Sequence, residues 1–182
     1  RDIEDAFRKP DLRQSLYNAG GDLFEGVLVT LHGDEHRTRR SIEGRLLKRN
    51  FFRQYEAEVF PPLLQESMDR YLNSDAADFK ELGYRIMLNV SLAFAGIDRQ
   101  DNSAEEADMM HKLLSQFGMA ATLGQYKGED KDAVRQEIRD ALAKFEVSFF
   151  APSRAYREDL VKKFNAGELS ESELPRDILT ML

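Results

Sequence analysis

Apolar positions in this chain recur at steps of three and four, and no stretch alternates convincingly at steps of two. The period is that of amphipathic helices. Residues 2–9 predict a short helix ended by Pro10. Residues 11–31 predict a long loop with at most one short turn, punctuated by Gly20, Gly21 and Gly26. The second half of that loop is apolar, with Leu23, Phe24, Val27, Leu28, Val29 and Leu31, so it covers a core or lines a pocket.

Residues 34–49 predict a helix with Asp34 and Glu35 at the positive end of its dipole. Its narrow stripe is Ile42, Leu46 and Leu47, and Phe51 and Phe52 follow as anchors. Pro61-Pro62 suits a first turn, with Leu64, Met68, Tyr71 and Leu72 as the buried face behind it. Residues 77–95 repeat Phe79, Leu82, Ile86, Val90 and Phe94, and Gly96 suits the position past the end. Ser103-x-x-Glu106 is a capping box before Met109, Met110, Leu113, Leu114 and Phe117. After a polar turn at 125–130, Val134, Ile138, Leu142, Phe145 and Phe149 mark a long helix stopped by Pro152. Ser153 then caps a helix burying Tyr156, Leu160, Val161 and Phe164, closed near Gly167. An acidic loop over 169–175 precedes a last apolar run.

The expected fold class is all-α, with about seven or eight helices. One domain is expected over 1–182, divided into 1–31, 32–50, 51–100, a lid-type helix pair at 101–152, and 153–182. The first residues are already helix-like, and Ile178–Leu182 is apolar with no stop signal. Those ends lead us to expect a fragment of a longer protein.

Composition narrows the function. With 33 acidic against 26 basic residues the net charge is −7, which argues against nucleic-acid binding by the whole surface. The chain has no cysteine, hence no disulfide, no thiolate metal site and no cysteine nucleophile of its own. No apolar run reaches membrane-spanning length, and a cytoplasmic location is the expectation.

The densest candidate chemistry lies at 32–40, His-Gly-Asp-Glu-His-Arg-Thr-Arg-Arg, which holds two of the three histidines. His32-x-x-Glu35-His36 has the form of an inverted zinc-peptidase motif, but Gly33 and the following arginines oppose that use. His36 and Arg40 are a second pair, four apart on one helical face. Side by side they form an anion receptor, the arginine as a fork and the histidine as a further donor. A solvated basic helix, or a nucleic-acid helix over 37–49, reads the same residues differently. His111 reads as a partly buried surface histidine.

Leu31-His-Gly-Asp-Glu-His36-Arg-Thr-Arg-Arg40, followed by Phe51-Phe52, resembles the start of the third long helix of bacterial cytochrome P450 enzymes. The order of elements, from short helix through apolar loop to this helix and a later helix pair, is similar as well. The resemblance covers only the amino-terminal half of such an enzyme. It implies that His36 and Arg40 bind the propionates of haem b. It also implies that Phe24, Val27, Leu28 and Val29 approach an apolar substrate. Arg45, Lys48 and Arg49 would face a ferredoxin-type or other acidic redox partner. The parent would be a haem- and iron-dependent monooxygenase, an oxidoreductase that binds neither nucleic acid nor membrane. The cysteine loop, the central helix and the sheet elements of that family are missing, so no activity is expected of residues 1–182 alone. The alternative is a haem-free helical module that binds another protein or dimerises through exposed apolar surface.

Overall fold

The computed structural model describes residues 2–9, 11–72, 78–101, 103–128 and 130–181. Pro10, expected to end the first helix, and positions 77, 129 and 182, within expected elements, lie outside them. Among the described residues the fold is all-α, with no strand. No described helix is long and apolar enough to cross a membrane.

The helices are α1 (Asp2–Phe7), α2 (Gly21–Phe24), α3 (Gly33–Glu43), α4 (Arg49–Gln54), α5 (Phe60–Leu72), α6 (Phe79–Ala95), α7 (Ala104–Thr122), α8 (Lys131–Phe145), α9 (Ala151–Asn165) and α10 (Ile178–Met181). The chain divides into two compact units, Arg1–Ile42 with Lys112–Lys144 and Glu43–His111 with Phe145–Leu182.

In the first unit the predicted loop at 11–31 is more structured than its glycines suggested. It holds 3₁₀ turns at Asn18–Gly20 and Leu28–Thr30 as well as α2. Ala19, Leu23 and Phe24 pack on a buried cluster of Ala120, Leu123, Val134 and Ile138. Gly20 sits against the Ala120 carbonyl, where a Cβ would collide. Packing, not local propensity, orders this segment.

The second unit is built on Leu46, Phe51 and Tyr55, with Val59, Phe60, Phe94 and Ile178 around them. The predicted helix at 34–49 is two elements. Gly44 and the extended backbone of Lys48 (ψ 148°) separate α3 from α4, and this turn buries Leu46. Phe51 is buried as expected, whereas Phe52 is exposed.

Pro61-Pro62 and Pro152 do not start or stop helices. A π-helical turn at Tyr55–Val59 joins α4 to α5, and one at Glu146–Phe150 joins α8 to α9. The Phe60 N–H donates to the Tyr55 carbonyl and the Ala151 N–H to the Glu146 carbonyl. Ser153 is therefore inside a helix and not its cap. Its hydroxyl donates to the Phe149 carbonyl at 2.7 Å.

Several predicted apolar faces point the other way. On α5, Leu64, Met68 and Leu72 are exposed, while Ser67 is buried and accepts a 3.0 Å hydrogen bond from Asn89 of α6. On α9, Tyr156 and Phe164 are exposed and the buried positions are Ser153 and Arg157. On α6, Phe79 is 84% exposed, and Leu88 and Leu92 form the deep line. Gly96 ends α6 as predicted, left-handed at φ 81°, with its N–H on the Leu92 carbonyl. Asp78 caps the other end, its Oδ1 accepting from Lys80 N–H at 2.8 Å.

Candidate functional site

Helix α3 carries the histidine–arginine pair. His32 precedes the helix and Gly33 has φ 60°, so the zinc-type motif is not laid out on helical turns. No group of three or more potential ligands gathers around a metal position among the described residues. That removes the geometric basis of the zinc reading.

His36 and Arg40 lie one turn apart, a rise of roughly 6 Å. His36 is half-buried and Arg40 exposed. The neighbouring arginines are engaged. Arg37 pairs with Asp34, and an Arg39 N–H donates to the Gly26 carbonyl at 3.5 Å. Neither His36 nor Arg40 has a side-chain partner among the described residues.

The Arg39 contact brings α3 to the apolar segment at 24–30. Thr30 braces that segment, its hydroxyl lying 2.7 Å from the Phe24 carbonyl and 2.8 Å from that of Val27. Phe24 stacks on Tyr17 at 4.6 Å between ring centroids. It lines a cleft of about 470 Å³ together with Tyr17, Asn18, Gly21, Thr30 and Leu31. Val27 and Val29 are exposed and do not line that cleft, nor does Leu28. Of the four predicted pocket residues, the structure places Phe24 in a cleft wall.

Arg45 and Lys48 lie in the turn before α4 and line a second cleft of about 460 Å³, which Arg49 does not line. His111 is exposed, not partly buried. Its ring leans on Tyr84, 5.1 Å between centroids, at the rim of a cleft beside α6 and α7.

The strongest polar constellation is one that sequence periodicity did not single out. Arg157 on α9 pairs with Asp98 and, at 3.0 Å, with Asp177. Burial of the guanidinium opposes its charge, but the two carboxylates outweigh that and raise its pKa. The Asp98 N–H donates to Ser153 Oγ at 2.8 Å. Asp177 also caps α10, accepting from Thr180 N–H at 2.7 Å. Nearby, the Tyr55 hydroxyl donates to the Arg176 carbonyl at 2.7 Å. Burial, and then the charge of Asp177, push the Tyr55 pKa up to about 12. The one sequence signal for this knot is Asp177 three residues before Thr180, an N-cap spacing. All its members are bonded to one another, which reads as a structural lock rather than a reactive site.

No family model, curated protein or solved structure matches the chain.

Proposed function

We propose that this chain is part of a haem-dependent monooxygenase that oxidises an apolar small molecule with O₂ and electrons from a redox partner. The observation that carries the reading is the pair His36 and Arg40, one turn apart and without an acidic partner among the described residues. An arginine fork and a histidine donor on one face suit the two propionates of haem b in hydrogen-bonding capacity. The braced apolar segment at 24–31 beside α3 supplies a wall for an apolar substrate, with Phe24 in a cleft lining and Val27, Leu28 and Val29 on the same segment. Bound haem would supply the O₂-activating iron. Its thiolate ligand would come from residues outside these 182, which contain no cysteine. Arg45, Lys48 and Arg49 would offer positive charge to an acidic electron donor, which speeds encounter.

The test compares hemin with hemin dimethyl ester, whose propionates carry no charge. The wild-type chain is expected to bind hemin more tightly, by about tenfold or more for a charge-assisted hydrogen bond. His36→Ala with Arg40→Ala should erase that preference and leave ester binding unchanged. A wild-type protein indifferent to esterification, or a double variant that keeps the preference, refutes the assignment.

A second reading is favoured by the exposure of Phe79 (84%), Leu72 (63%) and Met87 (62%) on α5 and α6. In it the chain is a haem-free module that binds another protein or a second copy of itself through this apolar surface. Sedimentation of a concentration-dependent dimer, with no hemin binding, would favour it.

A further inference from the structure

Arg45, Lys48 and Arg176 line one cleft, of about 460 Å³, in which Glu171 is the one carboxylate among the described lining residues. None of the three cations has a side-chain partner among the described residues, so the rim carries a local excess of positive charge in a chain of net charge −7. The lining below them is apolar, with Phe51, Phe164, Leu174 and Met181.

We propose that this cleft binds an amphipathic monoanion, a carboxylate on an unbranched apolar chain. The volume is that of a small-molecule site. The three cations select a negative head, and Arg45 or Arg176 can grip a carboxylate with two parallel bonds. The phenylalanines, Leu174 and Met181 take the chain, which a bare inorganic anion would leave unsatisfied. The site shares no residue with the His36–Arg40 pair, but it takes Arg45 and Lys48, which the haem reading gives to an acidic electron donor; the redox-protein arm of the test separates the two uses.

Isothermal titration of the full chain with decanoate tests it, with 1-decanol and inorganic phosphate as comparisons. Saturable decanoate binding is expected, at least about tenfold tighter than either comparison. Arg45→Ala, Lys48→Ala and Arg176→Ala are all at exposed positions and should each weaken it by about threefold to tenfold. Decanol binding as tightly as decanoate would reduce the site to apolar surface and overturn the proposal. Equal binding of phosphate would reduce it to a charge patch and overturn it too. Charge-dependent binding of an acidic redox protein with no decanoate binding would make the cleft a docking surface, again against the proposal.

Discussion

Replacing Arg157 with methionine should unfold the second unit more readily than any surface change. Methionine keeps the unbranched stem and most of the volume, so the perturbation is the loss of the guanidinium. The Arg157 and Asp177 side chains are 9% and 4% exposed, and their atoms are 3.0 Å apart. Opposite charges at about 4 Å attract by about 4 kcal/mol at the effective dielectric of protein sites. Removing one partner of a buried pair costs about 3–5 kcal/mol, because the other charge stays buried without compensation. The expected loss for Arg157→Met is therefore about 3–5 kcal/mol, a large part of the roughly 5–15 kcal/mol that holds an ordinary domain folded. Urea unfolding followed by circular dichroism reads it as a lower midpoint at unchanged slope. Asp177→Asn added to Arg157→Met removes the more buried of the two stranded charges and keeps an N-cap for α10, so the double variant should recover part of the loss. A deficit below about 1 kcal/mol for Arg157→Met, or no recovery in the double variant, would show that the knot is not what locks α9 to the Gly96–Asp98 turn.

Tyr55 makes stability depend on alkaline pH. Its pKa is about 12 in the fold against 10.0 for an unperturbed tyrosine, so the folded state favours the neutral hydroxyl. The resulting stabilisation, about 2–3 kcal/mol, is fully present below pH 10 and lost as pH rises through 12. A stability curve for Tyr55→Phe should lack that decline, and the wild-type minus variant absorbance of the ionised phenol should titrate near pH 12. Gly96→Ala should cost more than Gly167→Ala, although φ is 81° at one and 77° at the other. Both incur about 1–2 kcal/mol for a left-handed alanine, but only at position 96 does the new Cβ fall 2.5 Å from Asp177 Cγ. Equal losses in a chemical melt would mean that the knot yields to the methyl group. In the first unit, Leu123→Ala at a 1% exposed site should cost about 2–5 kcal/mol.

The helical period was legible because it is a local property, and it placed α6, α7, α8 and the Gly96 stop correctly. Which face each helix buries was less legible, because the pattern shows apolar positions and not what covers them. On α5 the covered side carries Ser67, satisfied by Asn89, and on α9 it carries Arg157, satisfied by Asp98 and Asp177. Those polar pairs join residues 22, 59 and 20 positions apart, and no local pattern announces them. Capping signals were partly readable. Ser103 takes the Glu106 N–H at 3.0 Å, yet Glu106 turns to Gln100 N–H and Arg99, while Asp101 takes the Ser103 N–H. The reciprocal box forms instead at Ser170 and Glu173, in a stretch read as plain acidic loop. At the candidate site, the one-face placement of His36 and Arg40 followed from spacing. Their lack of partners did not, because it depends on Asp34 and the Gly26 carbonyl engaging the neighbouring arginines.

The prolines carry the sharper lesson. Pro61-Pro62 and Pro152 each follow a π turn by two or three residues. In an uninterrupted α-helix the ring of Pro152 would strike the carbonyl four residues back, at Ser148, and those of Pro61 and Pro62 the carbonyls of Ala57 and Glu58. The wider π turn moves these carbonyls aside and shifts the bonding to the i−5 step seen at Phe60 and Ala151. The helix continues instead of ending, and its register past the turn is offset from the one before it. Tyr55, at the head of its turn, sits in the core of the second unit, 5.2 Å from Phe51 and 5.3 Å from Phe94 between ring centroids, and the offset brings Phe60, past the turn, to 5.5 Å from it. Past the second turn it places Ser153 at 1% exposure, on the Asp98 N–H. A proline read alone breaks a helix. A proline preceded by a turn that can widen sets the rotation of the helix after it, and here that rotation delivers Arg157 to its two carboxylates.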